Sequence, residues 1–462
     1  MSDIQSIAPH TDLMIKSSHF DVIIIGSGTS AAYCAYGLID AGKRVAIVDE
    51  RPFGGTCALR GCQPKKYLVA NAEAVASGEH LVGKGIKSAP KTDWPALQAL
   101  KNEFLDGRPE AEEVEWKEKG VATFRHRAVL SGPTEVTLDD GQQLTADRIV
   151  IATGSTPRPV EIPGSEHLHT SDDFLELADL PRRVTFVGGG YISFEFAHIA
   201  ARAGAEVTIL HRSDRVLKGF EPEIVDVVVE ASRAAGIRIL LESSPTAVET
   251  VAGGLCLTTN QGEQIETDFI VAATGRVPNL SVLEGDQGQV DHDRSGISVN
   301  GFLQSKSNQA VYAIGDCASL GIMLATVADD HGKAAAKNLI YGNTVAVDHG
   351  KIATSVFTIP SMGAVGLTEE EAVSAGLDFR VNRGTTTGWP SSKRIGEAHG
   401  AYKVLIDNGT GLVLGAHLVR HNAAEVINTF ALAIAYKIPA AELKDFLWAY
   451  PTTTSDLKYM VG

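Results

Sequence analysis

The apolar run Val22-Ile23-Ile24-Ile25 is the first strongly patterned stretch of the chain. A run this short, apolar on both faces and closed by glycine, predicts a strand buried on both sides of a parallel sheet. Gly26-Ser27-Gly28-Thr29-Ser30-Ala31 follows as a turn into a helix running to about Gly42. Arg44-Val45-Ala46-Ile47-Val48 is the next strand and ends at Asp49. Strand, glycine turn, helix, strand and terminal acid make a βαβ unit of the dinucleotide-binding kind. Gly26 and Gly28 let the backbone approach a pyrophosphate at the helix N-terminus, and Ala31 completes the GxGxxA pattern. Asp49, preferred over Glu50 because it closes the strand, is the acceptor for ribose hydroxyls.

The pattern recurs. Arg183-Val184-Thr185-Phe186-Val187 is a strand, Gly188-Gly189-Gly190-Tyr191-Ile192-Ser193 opens a helix, and Glu206-Val207-Thr208-Ile209-Leu210 is the following strand. Gly188 and Gly190 take the pyrophosphate role here. Two such units imply two dinucleotides, with electron transfer between them as the natural use. The second unit ends in His211-Arg212-Ser213-Asp214-Arg215-Val216-Leu217-Lys218, with no acid at the ribose position. A carboxylate there would repel a 2′-phosphate, whereas Arg212, Arg215 and Lys218 would pair with one, so the expectation is NADPH rather than NADH. Beyond about residue 349 the texture shifts to alternating strands at 402–406 and 412–418 and an Ala-rich helix near 423–436. Residues 108–119, rich in Glu and Lys, read as a solvated helix face.

At 462 residues the chain is too long for one core and suggests two to four domains. Hydrophobic residues make up 44% and charged residues 21%, an ordinary globular balance. Its apolar runs fall short of the ~18 residues of a membrane-spanning helix. Residues 1–20 carry no apolar core of a secretory signal. The net charge of −15 argues against nucleic acid and anionic membranes as partners. Five cysteines, at 34, 57, 62, 256 and 317, are too few and too scattered for a disulfide scaffold. A cytoplasmic location is expected, where a cysteine pair is more often catalytic or metal-binding than structural. A metal is not expected, because no second CxxC or His pair stands at ligand spacing. Cys34 and Cys256 read as small hydrophobes, and Cys317 as packing.

The chemistry concentrates in Gly54-Gly55-Thr56-Cys57-Ala58-Leu59-Arg60-Gly61-Cys62-Gln63-Pro64-Lys65-Lys66. On a regular helix, residues five apart point about 140° from each other. A disulfide needs Cα atoms within about 7 Å. Gly61 between the cysteines and Pro64 after them permit the local distortion that brings the sulfurs together. Directly after a dinucleotide-binding unit, this spacing reads as a redox pair delivered to a cofactor.

The run resembles the signature of the class I pyridine nucleotide–disulfide oxidoreductases, the family of glutathione reductase, dihydrolipoamide dehydrogenase and mercuric reductase. Further matches fall in family order. Ile151-Ala152-Thr153-Gly154 and Ala273-Thr274-Gly275-Arg276 close the two nucleotide domains. Val311-Tyr312-Ala313-Ile314-Gly315-Asp316 resembles the second FAD motif. The resemblance covers about residues 20–460. It implies an α/β fold with two Rossmann-like nucleotide-binding domains and a C-terminal α+β dimerisation domain. The FAD domain would span 1–158 and 288–348, the NAD(P)H domain 159–287, and the interface domain 349–462. It also implies a homodimer with a shared active site. Cys62 would be the flavin-proximal thiol and Cys57 the thiol that attacks substrate. Gly55 and Thr56 would line the flavin site, Asp316 would reach the ribityl chain, and Thr326 and Val327 would aim N–H groups at the flavin pyrimidine edge. Lys65 or Lys66 would approach flavin N5 and pair with Glu195. Tyr191 resembles the aromatic gate over the flavin.

The chain departs from the patterns of that family in three places. The family ends in His-Pro-Thr-x-x-Glu, whose His handles the substrate thiol's proton. Here the run is Tyr450-Pro451-Thr452-Thr453-Thr454-Ser455, followed by Asp456. Tyrosine titrates near pH ~10 and is a weaker acid–base at neutral pH, although its hydroxyl still donates. Glutathione reductases carry an arginine where this chain has Tyr36. Mercuric reductases need a cysteine pair in the tail, and this chain ends Lys458-Tyr459-Met460-Val461-Gly462. The expectation is an enzyme that passes electrons from NADPH through FAD to Cys57–Cys62 and on to a small disulfide or related acceptor. The alternative is a non-disulfide acceptor: a quinone, a metal ion or another electrophile.

Overall fold

In the computed structural model, residues 19–285, 287–350 and 352–462 are described. Most of the leading stretch in which no secretory signal was read lies outside them. The chain forms two compact units, one built from residues 19–55, 109–155 and 278–347, the other from 56–108, 156–277 and 348–462.

The first unit contains the first glycine turn. Its central strand, His19–Ile25, begins three residues before the apolar run and lies parallel to Val45–Val48 on one side and Gln143–Ile151 on the other. Ala122–Phe124 and Val311–Ala313 extend this parallel core, and the hairpin Ala128–Gly132/Glu135–Leu138 adds an antiparallel edge. Ile23, Ile24 and Ile47 are fully buried, as a strand covered on both faces requires. The helix Thr29–Asp40 crosses Ala325–Tyr341 at glycines: a Cβ on Gly332 would sit 2.4 Å from the Ser30 carbonyl oxygen.

The helix Arg108–Glu118 carries the solvated face read from the sequence and, on its other side, one buried residue. Trp116 is buried, because the Tyr36 ring lies over it with centroids 4.7 Å apart. The Tyr36 hydroxyl donates to Glu115 Oε1 at 2.9 Å. Burial and the Glu115 carboxylate push the Tyr36 phenol up to about 12.

In the second unit the strands Arg238–Leu240, Glu206–Leu210, Arg183–Val187, Phe269–Ala272 and Leu168–His169 run parallel in that order. The antiparallel strands Pro245–Val251, Gly254–Thr259 and Gln264–Thr267 form a separate meander. Residues 56–108, read above as part of the first nucleotide domain, cluster here because the helix Cys62–His80 packs along Tyr191–Arg202. The C-terminal strands Thr354–Val356, Met362–Gly366, Val413–Val419, Ala401–Asp407 and Phe379–Thr385 are antiparallel and covered by Ala423–Ala435, whose Val426, Ile427 and Phe430 are buried.

Gly26 shows why the first turn demands glycine. Its φ is +108°, and an added Cβ would lie 2.2 Å from the Ala152 carbonyl oxygen. Backbone strain alone makes Gly26→Ala cost about 1–3 kcal/mol, before the clash is counted. The expected outcome is a lower urea midpoint together with a reduced flavin-to-protein ratio in the purified variant.

Candidate active site

The two cysteines lie at the junction of two helices. Gly55–Leu59 is a short helix, and Cys62–His80 begins after a break at Gly61 (φ −149°, ψ −110°). A Cβ on Gly61 would sit 3.0 Å from the Thr56 carbonyl oxygen, so glycine permits the tight break. Cys57 and Cys62 are thereby brought into hydrogen-bonding reach across the break. The Cys57 thiol hydrogen bond is the main force that lowers the Cys62 thiol to about 7, with the Lys65 charge helping; burial and Glu195 oppose the shift. Thiolate is the nucleophilic form, so Cys62 is poised near neutral pH.

Lys65 lies three residues after Cys62, on the same face of the helix. Its Nζ donates to Glu195 Oε2 at 2.6 Å. Glu195 is buried on Tyr191–Arg202, and its other oxygen, Oε1, accepts the Phe357 backbone N–H at 2.8 Å. Lys66 instead places Nζ 3.9 Å from the centroid of the Phe357 ring. The sequence left the two lysines equivalent; the pairing with Glu195 belongs to Lys65. Phe357 was missed as a site residue, and only its place in the Ser355–Pro360 run hinted at it. Tyr191 opens its helix half-exposed.

Both glycine turns fit a dinucleotide. Gly28 and Gly190 are the N-caps of their helices, with no side-chain cap and no acid in the first turn, which leaves N–H groups for a phosphate. Gly55 (φ +69°) approaches Gly28 so closely that a Cβ would lie 2.4 Å from its Cα. Ala31 is buried beneath the first turn. Asp49 closes its strand and accepts from the Ser27 N–H and hydroxyl at 2.8 and 2.7 Å. In the same unit, Thr153 Oγ1 donates to the Asn279 carbonyl, and the Gly154 carbonyl accepts the Asn279 N–H. Gly315 donates its N–H to Nδ1 of buried His331, and Asp316 accepts from Ser155 Oγ at 2.8 Å. Val327 is buried and Thr326 exposed in the first turn of Ala325–Tyr341, whose N-cap also lacks a side-chain acceptor.

At the second turn a Cβ on Gly188 would meet the Ala273 carbonyl oxygen at 2.3 Å. Gly275 accepts the Arg158 N–H, and Arg276 beside it is half-buried. The basic loop is fastened by buried Val216 and Leu217. Arg212 is exposed, the Lys218 ammonium rests on Ser213 Oγ at 3.2 Å, and Arg215 turns toward Asp226 at 3.4 Å. Arg212 and Lys218 are therefore the better phosphate partners. The His211 ring, unremarked in the sequence, packs under Gly189, where a Cβ would lie 2.6 Å from its Cγ.

Cys34 and Cys317 are buried, and Cys256 is half-buried on Gly254–Thr259. Burial pushes Cys34 up to about 12 and Cys317 up to about 11. Near the C-terminus, Tyr450 is 72% exposed, and Lys458 Nζ lies 5.7 Å from its ring centroid. Ser455, at the position of the family's Glu, donates Oγ to the Thr452 carbonyl at 2.6 Å. The Asp456 carboxylate accepts from Arg420 Nη2 at 2.7 Å and from Ser391 Oγ.

A vicinal thiol pair and two dinucleotide cradles on one chain define a flavoprotein of the thiol–disulfide type. Comparison with known families agrees. Residues 20–332 match the pyridine nucleotide-disulphide oxidoreductase model, and residues 352–461 match the dimerisation domain of the same group. The chain belongs to the pyridine nucleotide–disulphide oxidoreductase family. It is 32% identical over 446 residues to a glutathione reductase of Burkholderia cepacia, covering 95% of this chain and 97% of that one. It is 31% identical over 459 residues to a mercuric reductase of Lysinibacillus sphaericus, covering 96% and 82%. The fold is also that of the HOCl-induced flavoprotein disulfide reductase RclA from Escherichia coli, with a TM-score of 0.86, 24% identity, and coverage of 96% and 99%. The protein is an FAD- and NADPH-dependent oxidoreductase that works through a redox-active cysteine pair on a disulfide or related acceptor, and it carries the family's dimerisation domain. Among the described residues, no helix is long and apolar enough to cross a membrane.

The thiol geometry has a direct readout. In the reduced protein, iodoacetamide should alkylate Cys62 at a rate that rises through a midpoint near pH 7, the thiolate being the form above it. Lys65→Gln removes a stabilising cation and moves that midpoint upward. Peptide mass spectrometry should show Cys34 and Cys317 unmodified over the same range.

Proposed function

We propose that this enzyme reduces a low-molecular-weight disulfide that is not glutathione disulfide, with Cys57 as attacking thiol, Cys62 as resolving thiol and Tyr450 as proton donor. The observation that carries the reading is the Cys57–Cys62–Lys65–Glu195 cluster, complete and internally hydrogen-bonded. In this reading 1–158 with 288–348 serve FAD, 159–287 serve NADPH, and 349–462 join two copies so that Tyr450 completes the partner subunit's site.

When bound, FAD would supply a two-electron acceptor for NADPH and a two-electron donor for the Cys57–Cys62 disulfide. Gly26, Gly28 and Asp49 would hold its ADP half, with Gly55, Thr56, Asp316, Thr326 and Val327 toward the flavin. Arg212 and Lys218 would hold the 2′-phosphate of NADPH. The Cys57 thiolate attacks one sulfur of R–S–S–R, forming Cys57–S–S–R and breaking the substrate S–S bond. The departing RS⁻ takes a proton from the Tyr450 hydroxyl, which is restored by the proton that the Cys57 thiol gives up on becoming the attacking thiolate. The Cys62 thiolate then attacks the Cys57 sulfur, releasing the second RS⁻ and restoring the Cys57–Cys62 disulfide. The dithiol is oxidised by two electrons and the substrate reduced by two.

Tyr36 argues for a substrate other than glutathione disulfide. Glutathione reductases present a guanidinium at this position, whereas Tyr36 here is held by the Glu115 carboxylate. An acceptor carboxylate would meet negative charge instead of a cation.

A second reading draws support from the C-terminal segment. Ser455 and Asp456 are committed to Thr452 and Arg420, so this segment does not offer Tyr450 the orienting carboxylate that the family gives its His. Acceptors such as quinones need no protonated thiol.

The deciding experiment is anaerobic reduction by NADPH followed by a panel of disulfides and a quinone, monitored by the long-wavelength thiolate–flavin charge-transfer band. Rapid discharge by a disulfide other than glutathione disulfide supports the proposal; discharge by the quinone alone replaces it with the second reading. Cys57→Ser should bring disulfide turnover to background while NADPH still bleaches the flavin. Arg212→Ala should raise the KM for NADPH by about 10–100-fold, the size of a lost charge-assisted hydrogen bond, and leave that for NADH unchanged.

A further inference from the structure

The residues that follow Tyr450 are tied to a charge that the family pattern did not foretell. Arg420 follows the strand Val413–Val419, and its side chain is 1% exposed. Nη2 donates to Asp456 Oδ2 at 2.7 Å and to Ser391 Oγ at 3.0 Å, while Ser391 Oγ itself donates to Asp456 Oδ2. The guanidinium carbon lies 5.4 Å from the centroid of the Trp389 ring. Its backbone is fixed too: Arg420 N–H donates to the Ser361 carbonyl, and Ser361 Oγ donates back to the Arg420 carbonyl.

Asp456 passes this anchorage to Tyr450 through one tight turn. Its N–H donates to the Thr453 carbonyl at 3.3 Å. Thr452 and Ser455 exchange reciprocal bonds: Ser455 N–H donates to Thr452 Oγ1 at 3.1 Å, and Thr452 N–H to Ser455 Oγ at 3.2 Å. Thr452 Oγ1 donates to the Ala449 carbonyl at 2.7 Å. Tyr450 is thus bracketed by two residues, Ala449 and Thr452, that belong to the tied turn. Beyond the turn, Leu457 and Met460 are buried and hold the segment by apolar packing.

As a stabilising device the ion pair is poorly built. Arg420 Nε and Nη1 are buried and have no hydrogen-bond partner among the described residues. A buried charge pair with unsatisfied donors is often no more stable than an apolar replacement, and fixed placement is the better-attested reason to keep one. We infer that Arg420 is a positioning residue for Tyr450: through Asp456 and Ser391 it holds the 449–456 turn so that an exposed tyrosine, without the family's His–Glu pair, presents its hydroxyl at one place. This rests on the reading that Tyr450 is the proton donor.

Stopped-flow measurement on the FAD-loaded enzyme separates the possibilities, because reduction by NADPH and reoxidation by a disulfide are read independently. Arg420→Met should slow reoxidation about tenfold or more, the size of effect that follows from a misplaced group, and leave reduction unchanged. Tyr450→Phe should slow reoxidation at least as much, and the double variant should be no slower than Tyr450→Phe alone. Arg420→Lys should recover most of the rate. If Tyr450→Phe slows reoxidation but Arg420→Met does not, or if their effects multiply, the positioning role is wrong while the proton-donor reading stands. If Tyr450→Phe changes nothing, both fall. Equal losses in the two half-reactions would mark Arg420 as merely structural. Should Arg420→Met not fold, Asp456→Asn makes the same comparison, since it removes the charge and keeps the side-chain volume.

Discussion

One buried carboxylate sets the geometry of the thiol site. Glu195 spends one oxygen on Lys65 and the other on the backbone of Phe357, so a single side chain ties the cysteine helix, the second nucleotide-binding helix and the 357 strand end together. Removing one partner of a buried pair like this costs about 3–5 kcal/mol, far above an exposed ion pair, because the other charge is left without compensation. The Lys65 charge that lowers the Cys62 thiol is itself held in place by Glu195. The carboxylate opposes the thiolate electrostatically yet fixes the cation that favours it. Structural order and thiol reactivity therefore share one residue.

Much of this was legible in the sequence, because the features are local. The strand–glycine–helix–strand units occupy about thirty contiguous residues each, and the two cysteines stand around a glycine that only a break would require. What was illegible depends on long-range contact. Lys65 and Lys66 are adjacent and chemically identical, and the choice between them turns on which side of a helix faces residue 195. The burial of Trp116 in a Glu- and Lys-rich segment could not be foreseen, because the partner ring, Tyr36, lies eighty residues away. The same holds for Arg420 and Asp456, whose pairing joins residues 36 apart in the chain.

The departures from the family pattern are few and local. The glycine turns and the cysteine junction keep the close approaches and the helix break that a dinucleotide and a thiol pair require. Tyr36, Tyr450 and Ser455 differ, and each makes a definite contact: Tyr36 with Glu115, Ser455 with Thr452, and Tyr450 under the charge of Lys458. The cofactor chemistry is the family's, while the contacts at these three positions belong to this chain.

The second compact unit is assembled from three separated stretches, 56–108, 156–277 and 348–462. On the ribosome the cysteines therefore emerge well over a hundred residues before Glu195 and nearly three hundred before Phe357. Contacts of such long sequence separation form late, since chain closure must come first. Until then the two thiols are ordinary cysteines on an unfinished chain, without the cation placement that sets their reactivity. The thiol site is complete only once the chain has grown past Phe357.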